Sequence, residues 1–361
     1  MHWKALKIFP LPSHVTNSPL RFTLRVNRVN SPPPMPPSTK PNLPWKLRIL
    51  TSLLNLLINA SRRSNGTVNR RLFNFFDRKL PSSPNPVDGV KTSDVTVDAT
   101  RNLWFRLFAP SSSVATTLPV VIFFHGGGFA LLSPASAAYD AVCRFFCRSF
   151  NAVIISVNYR LAPEHRYPSQ NDDGFDVIKY LDENGAVLGD INNCFLVGDS
   201  SGGNIAHHVA VRVCKEKFRF VRVIGLVSIE PFFGGEERTE SEIRMTQDPL
   251  VSLEKTDWYW KSFLPSGLGR DHEAVNVSGT NAVNISGLGY PNTLVVIAGF
   301  DPLQDWQRRY YEWLRKSGIE AQKIEYPNMI HGFHLFPDLP DSSVFASDVK
   351  DFITKQIADV N

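Results

Sequence analysis

The feature that most constrains this chain is an apolar run that ends in a glycine-bracketed serine. Cys194-Phe195-Leu196-Val197 leads directly into Gly198-Asp199-Ser200-Ser201-Gly202, and Ile205, Val209 and Val213 then recur at helical spacing. A short apolar run, a tight Gly-x-Ser-x-Gly and a 3.6-residue period predict a buried strand that turns sharply into a helix. Glycines two residues either side of Ser200 remove the Cβ atoms that so tight a turn would force together. The turn lifts the Ser200 hydroxyl to the positive end of the following helix, which suits a nucleophile.

The rest of the pattern supports an α/β architecture. Pro119–Phe124, Ala152–Val157, Val223–Ile229 and Leu294–Ala298 are continuous apolar runs, as expected of strands covered on both faces. Helical stretches, notably Tyr139–Ser149 and Asp172–Asn184, lie between them. Alternating strands and helices predict a mostly parallel central sheet flanked by helices. Residues 93–108 alternate apolar and polar around Asp98–Asn102 and read as an antiparallel hairpin added to that sheet.

Charge is distributed unevenly. Residues 1–76 hold twelve Lys/Arg and no acid, leaving 27 basic against 34 acidic residues in the remainder. A basic head on a mildly acidic body argues against a nucleic-acid partner, because no basic stripe runs through the body. Residues 1–34 are rich in Pro and free of acids, and they are expected to form a disordered extension. A transit segment for plastid or mitochondrion is the alternative, and the cytoplasm is the expected location otherwise. Trp45–Arg63 is an amphipathic helix too polar to span a membrane, and residues 35–80 are assigned to N-terminal lid helices. The main domain is placed at 81–361, with a second lid element in the aromatic-rich insertion at about 231–265. Four cysteines without zinc spacing read as small buried apolar residues.

Acyl transfer through a serine requires a base, a group to orient that base, and donors for the oxyanion. His125-Gly126-Gly127-Gly128-Phe129 follows a buried strand, so its backbone N–H groups can point into a site without intervening side chains. Gly126, Gly127, Gly128 and Ser201 are therefore the candidate oxyanion donors, with His125 part of the loop motif. Asp301 lies just past the apolar run 294–298 and is the candidate orienting acid; Asp305 is expected to begin the next helix instead. His331 is the candidate base in preference to His334, because Gly332 frees its loop to approach Ser200. The base is expected to titrate near an ordinary imidazole's pKa of about 6.5. His207 and His208 are read as helix-surface or packing residues. No metal or cofactor is implied.

Several segments together resemble a known family. His125-Gly-Gly-Gly-Phe129, Asn158-Tyr-Arg-Leu-Ala-Pro-Glu-His165, Gly198-Asp-Ser-Ser-Gly-Gly-Asn204, Asp301-Pro-Leu-Gln-Asp305 and His331-Gly-Phe333 are similar to the hormone-sensitive-lipase branch of the α/β hydrolases, in particular the plant carboxylesterases. The resemblance implies an α/β-hydrolase fold with a helical lid, a triad of Ser200, Asp301 and His331, and a small-molecule ester substrate of short or medium acyl length. It leaves the number of subunits open. Ser201 stands where many relatives carry Ala, and residues 1–34 match nothing in the family, whose chains would start near Met35. The same fold serves the gibberellin receptors, which lack the triad histidine, and isoflavanone dehydratases, which replace the nucleophilic serine by threonine. Neither loss occurs here.

Overall fold

The computed structural model describes residues 41, 43–112, 118–185, 188–245 and 248–360. The extension expected at residues 1–34 lies outside them. The described residues build one eight-stranded sheet with helices on both faces. In chain order the strands are β1 (Val90–Asp98), β2 (Leu103–Pro110), β3 (Pro119–Phe124), β4 (Val153–Val157), β5 (Asp190–Asp199), β6 (Val223–Ile229), β7 (Asn292–Ala298) and β8 (Ala321–Tyr326). Their spatial order is β1-β2-β4-β3-β5-β6-β7-β8. Strand β2 runs antiparallel to both its neighbours, and every other pairing is parallel. The hairpin expected around Asp98–Asn102 is thus an antiparallel edge on a parallel sheet, closed by a short 3-10 turn at Ala99–Arg101.

Strands β3, β4 and the apolar half of β5 are buried along almost their whole length, as continuous apolar runs require. Strand β5 begins four residues before that run, with Asp190, Ile191, Asn192 and Asn193 at its half-covered start. In chain order the described helices are α1 (Trp45–Ser61), α2 (Arg70–Phe76), α3 (Ala137–Phe150), α4 (Ser169–Asn184), α5 (Ser201–Val213), α6 (Glu240–Arg244), α7 (Leu253–Phe263), α8 (Gln304–Lys316) and α9 (Pro340–Val360), of which α1, α5, α7 and α8 matter for the site. Helix α1 buries Leu47, Thr51 and Ile58 but leaves Ile49, Leu50, Leu53 and Leu56 exposed, so its apolar stripe is wider than the surface it covers. Helix α7 occupies the aromatic-rich insertion and is joined to the segment after α1: Trp258 Nε1 donates to the Arg63 carbonyl at 2.7 Å, and Ser262 Oγ donates to the Gly66 carbonyl at 2.8 Å. No described helix is long and apolar enough to cross a membrane.

Helix α5 lies so close to the sheet that a Cβ at Gly202 would sit 1.9 Å from the Phe124 carbonyl oxygen. Backbone cannot yield to that contact as a flexible side chain would. Gly202→Ala should therefore cost about 3 kcal/mol or more, read as a lowered midpoint in urea unfolding. A midpoint equal to that of the wild type would show that the helix can move away from the strand at little cost.

Candidate active site

Ser200 joins β5 to α5 with φ +52° and ψ −119°, a conformation that costs a non-glycine residue on the order of 1–3 kcal/mol. Hydrogen bonds on both sides hold it there. Its N–H donates to the Ile229 carbonyl at 2.9 Å, and its own carbonyl accepts from Gly203 N–H at 3.0 Å and Phe232 N–H at 2.8 Å. The Ser200 side chain occupies the helix N-cap position without capping it. The hydroxyl is left to the cavity that it lines together with His331.

Between β3 and the first turn after it, the glycine loop runs over this serine. Gly127 and Gly128 line the cavity, and their N–H groups, like that of Ser201, meet no acceptor among the described residues. Gly128 has φ +61°, and a Cβ there would lie 2.3 Å from the Tyr259 ring of α7, so both backbone and space demand glycine. Gly126 departs from the expectation. Its N–H is taken by Asp199 Oδ1 at 2.8 Å and by the Tyr139 hydroxyl oxygen at 2.7 Å, which removes it from the set of free donors. His125 does not line the cavity. It is fully buried, stacked on Tyr159 at 4.3 Å, with Nδ1 at 2.8 Å from the Gly126 carbonyl. Burial pushes its pKa down to about 4, so it is a neutral prop of the loop.

Asp301 and His331 meet as the sequence predicts. His331 Nδ1 lies 2.7 Å from Asp301 Oδ2, and the carboxylate also accepts from Gln307 Nε2 at 2.7 Å and from Leu303 N–H at 2.8 Å. Asp301 is fully buried with these donors around it, which fixes the imidazole tautomer with Nε2 free for chemistry. Asp305 instead stands in the first turn of α8, where it accepts from Ser241 N–H at 2.8 Å.

Two further carboxylates hold the histidine loop from behind. Asp248 Oδ2 accepts from His331 N–H at 3.2 Å, and Glu230 Oε2 accepts from Gly332 N–H at 2.6 Å. Burial lowers the His331 pKa, but the charge and hydrogen bond of Asp301, with Glu230 and Asp248 behind it, outweigh that effect and hold it above its ordinary value. The expectation of an ordinary imidazole is corrected accordingly. Burial raises the Asp248 carboxyl to about 7, with His331 opposing the rise and Asp301 adding to it.

His334, the rival base, does not reach the cavity. Its Nε2 lies 3.4 Å from Asp199 Oδ2 and its Nδ1 3.5 Å from Glu230 Oε2, ion-pair distances without hydrogen-bond geometry. Against the cost of burial, those two carboxylates raise its pKa to about 9. His207 and His208 are both buried on α5, and burial keeps them neutral; His207 Nδ1 lies 2.8 Å from the Tyr290 hydroxyl. Both are packing residues. Asp199, Glu230, Asp248 and Gln307 were not singled out from the sequence. Asp199, the residue before the serine, and Glu230, directly after the apolar run Val223–Ile229, stand in readable positions, but Asp248 and Gln307 are isolated polar residues without a spacing signal.

The cavity is narrow: about 100 Å³ is open to the centre of a water-sized sphere, within about 680 Å³ of empty space that includes the mouth. Its walls are mostly apolar: Leu54 and Ile58 from α1, Leu250 and Val251 before α7, and Tyr259 from α7 itself.

Comparison with known proteins adds the following. Residues 121–335 match the family model described as alpha/beta hydrolase fold. A gibberellin receptor of Arabidopsis thaliana is 40% identical, over 83% of this chain and 91% of the receptor. Carboxylesterase 20 of the same plant is 33% identical over 82% of this chain and 95% of that protein. Among solved structures, a hyperthermophilic esterase from the archaeon Pyrobaculum calidifontis superposes with a TM-score of 0.68 at 25% identity, covering 87% of this chain and 99% of the esterase.

The histidine environment carries a pH signature. A base must be neutral to accept a proton, so reactivity at Ser200 should fall as pH drops through the His331 pKa. Because that pKa is raised, the midpoint of the acid limb should lie above about 6.5. The check is the rate of covalent labelling of Ser200 by a fluorophosphonate across pH. A midpoint at or below 6.5 would contradict the influence assigned to the acids around His331.

Proposed function

Because the chain belongs to the alpha/beta hydrolase fold family, we propose that it is a serine carboxylesterase acting on small-molecule carboxylic esters through an acyl-enzyme. The observation that carries this reading is the 2.7 Å contact between Asp301 and His331, with His331 and Ser200 lining one cavity. Ser200 Oγ attacks the ester carbonyl while His331 Nε2 accepts its proton, and Asp301 holds the tautomer and stabilises the imidazolium. The N–H groups of Gly127, Gly128 and Ser201 receive the developing oxyanion. His331 then protonates the departing alcohol. Water, deprotonated by the same imidazole, attacks the acyl carbonyl and restores the free serine.

The narrow, mostly apolar cavity supports short or medium acyl chains. Helix α1 and the 231–265 insertion serve as the cover over the site, since both contribute side chains to the cavity wall. A second reading, a gibberellin-receptor-like binding protein, is favoured by the 40% identity to a receptor of that hormone. The paired His331 weighs against it, because a protein that only binds has no use for an oriented base.

Hydrolysis of p-nitrophenyl butyrate separates the two readings. Ser200→Ala should lower turnover by on the order of 10⁴ or more while leaving the fold intact, because the hydroxyl faces the cavity. Wild-type protein without esterase activity that nevertheless binds a gibberellin tightly would make the receptor reading correct.

A further inference from the structure

One side chain in the cavity wall is out of keeping with its surroundings. Lys255 is only 4% exposed, yet it lines the same cavity as Ser200 and His331 and lies among Leu250, Val251 and Tyr259. A buried ammonium costs several kcal/mol unless it is paired. Its place adds to that cost: Lys255 stands in the first turn of α7, where the helix dipole disfavours a cation.

The compensation within the described residues is incomplete. Nζ donates to the carbonyls of Pro249 and Leu250 at 3.0 and 3.1 Å, which engages two of its three N–H groups with neutral acceptors. No carboxylate of the described residues forms an ion pair with it. The acid with the strongest pull on it is Asp248, but the oxygens of that carboxyl accept from Leu250 N–H, Val251 N–H and His331 N–H. A second cation adds to the positive field. Arg62 acts on both Lys255 and Tyr259 and stacks over the Trp258 ring at 5.7 Å. Among the described residues its Nε is buried without a hydrogen-bond partner, and its one carboxylate partner, Glu254 at 3.3 Å, is largely in solvent. Lys255 is therefore a cation set in a mostly apolar stretch of cavity wall, with Arg62 nearby adding to the positive field.

We propose that Lys255 forms a binding site for a carboxylate on the substrate, so that the preferred esters carry an anionic group remote from the scissile bond, as hemiesters of dicarboxylic acids do. This rests on the esterase reading. Burial is the main cause lowering the Lys255 pKa, to about 8, with Arg62 adding to it and Asp248 and Glu254 opposing. The ammonium thus remains charged at neutral pH, and an incoming carboxylate supplies the acceptor that its third N–H lacks. Such a charge-assisted hydrogen bond in a desolvated wall is the strong kind.

The test compares p-nitrophenyl hemisuccinate, hemiglutarate and hemiadipate with neutral p-nitrophenyl esters of matched chain length. Wild-type protein should show a higher kcat/KM for the anionic member of at least one pair. Lys255→Met should lower the anionic-to-neutral ratio by on the order of 10- to 100-fold, mainly through KM, and Lys255→Arg should restore part of it. A lysine that only ties down the 249–250 segment would change both ester classes alike. An unchanged ratio in Lys255→Met therefore overturns the proposal, as does a wild-type preference for the neutral ester at every length; neutral-ester turnover lost in Ser200→Ala would leave the esterase reading standing in either case. If no ester of either class is hydrolysed, the esterase reading fails, and calorimetry with monomethyl glutarate decides the site separately. Binding weakened in Lys255→Met supports it, and binding that is absent or equal in the two proteins overturns it.

Discussion

The contact on which the site depends is between two backbones, that of Gly202 at the start of α5 and that of Phe124 at the end of β3. A Cβ at Gly202 would lie 1.9 Å from the Phe124 carbonyl oxygen, and one at Gly198 would lie 2.1 Å from the Gly202 carbonyl oxygen. Because the helix can approach this closely, the serine turn and the glycine loop after β3 come to lie side by side. Ser200 and the glycine loop that shares its cavity are then held by the same piece of packing. Ser200 remains in its strained conformation because its N–H and carbonyl are bonded to Ile229, Gly203 and Phe232.

Parallel strand order assembles the remaining groups. Strands β5, β6, β7 and β8 are adjacent and run in one direction, so Ser200, Glu230, Asp301 and the loop bearing His331 emerge at one edge of the sheet. The consequence is a concentration of buried charge. Asp199, Glu230, Asp248 and Asp301 surround His331 and His334, and the two imidazoles are raised in pKa by the carboxylates they face. The histidines differ in what they can reach: His331 opens onto the cavity, whereas His334 is enclosed between Asp199 and Glu230. Asp248 ties the segment before α7 to the His331 loop through His331 N–H, so two parts of the cavity wall are mechanically joined.

Legibility in the sequence followed the range of the physics involved. The hairpin, the buried strands and the helix after Ser200 were readable because period and apolar continuity are local properties. Helix α7 gives little helical signal in the sequence, because Trp258, Tyr259, Trp260 and Phe263 are all buried and leave little one-sided stripe. The final helix, Pro340–Val360, is by contrast marked by a local period, since Phe345, Val349, Phe352 and Ile353 bury one face.

Residue type and spacing alone marked Ser200, the glycine loop, Asp301 and His331 as the candidates, because tight turns and close backbone approach impose their demands within a few residues. Only the tertiary structure decided that Gly126 N–H is taken by Asp199, that Glu230 and Asp248 hold the histidine loop, and that Lys255 faces the cavity. These depend on which segments, often a hundred residues apart, are brought into contact and removed from water. Burial and partnership set the state of a charged group, and neither is a property of its neighbours in the chain.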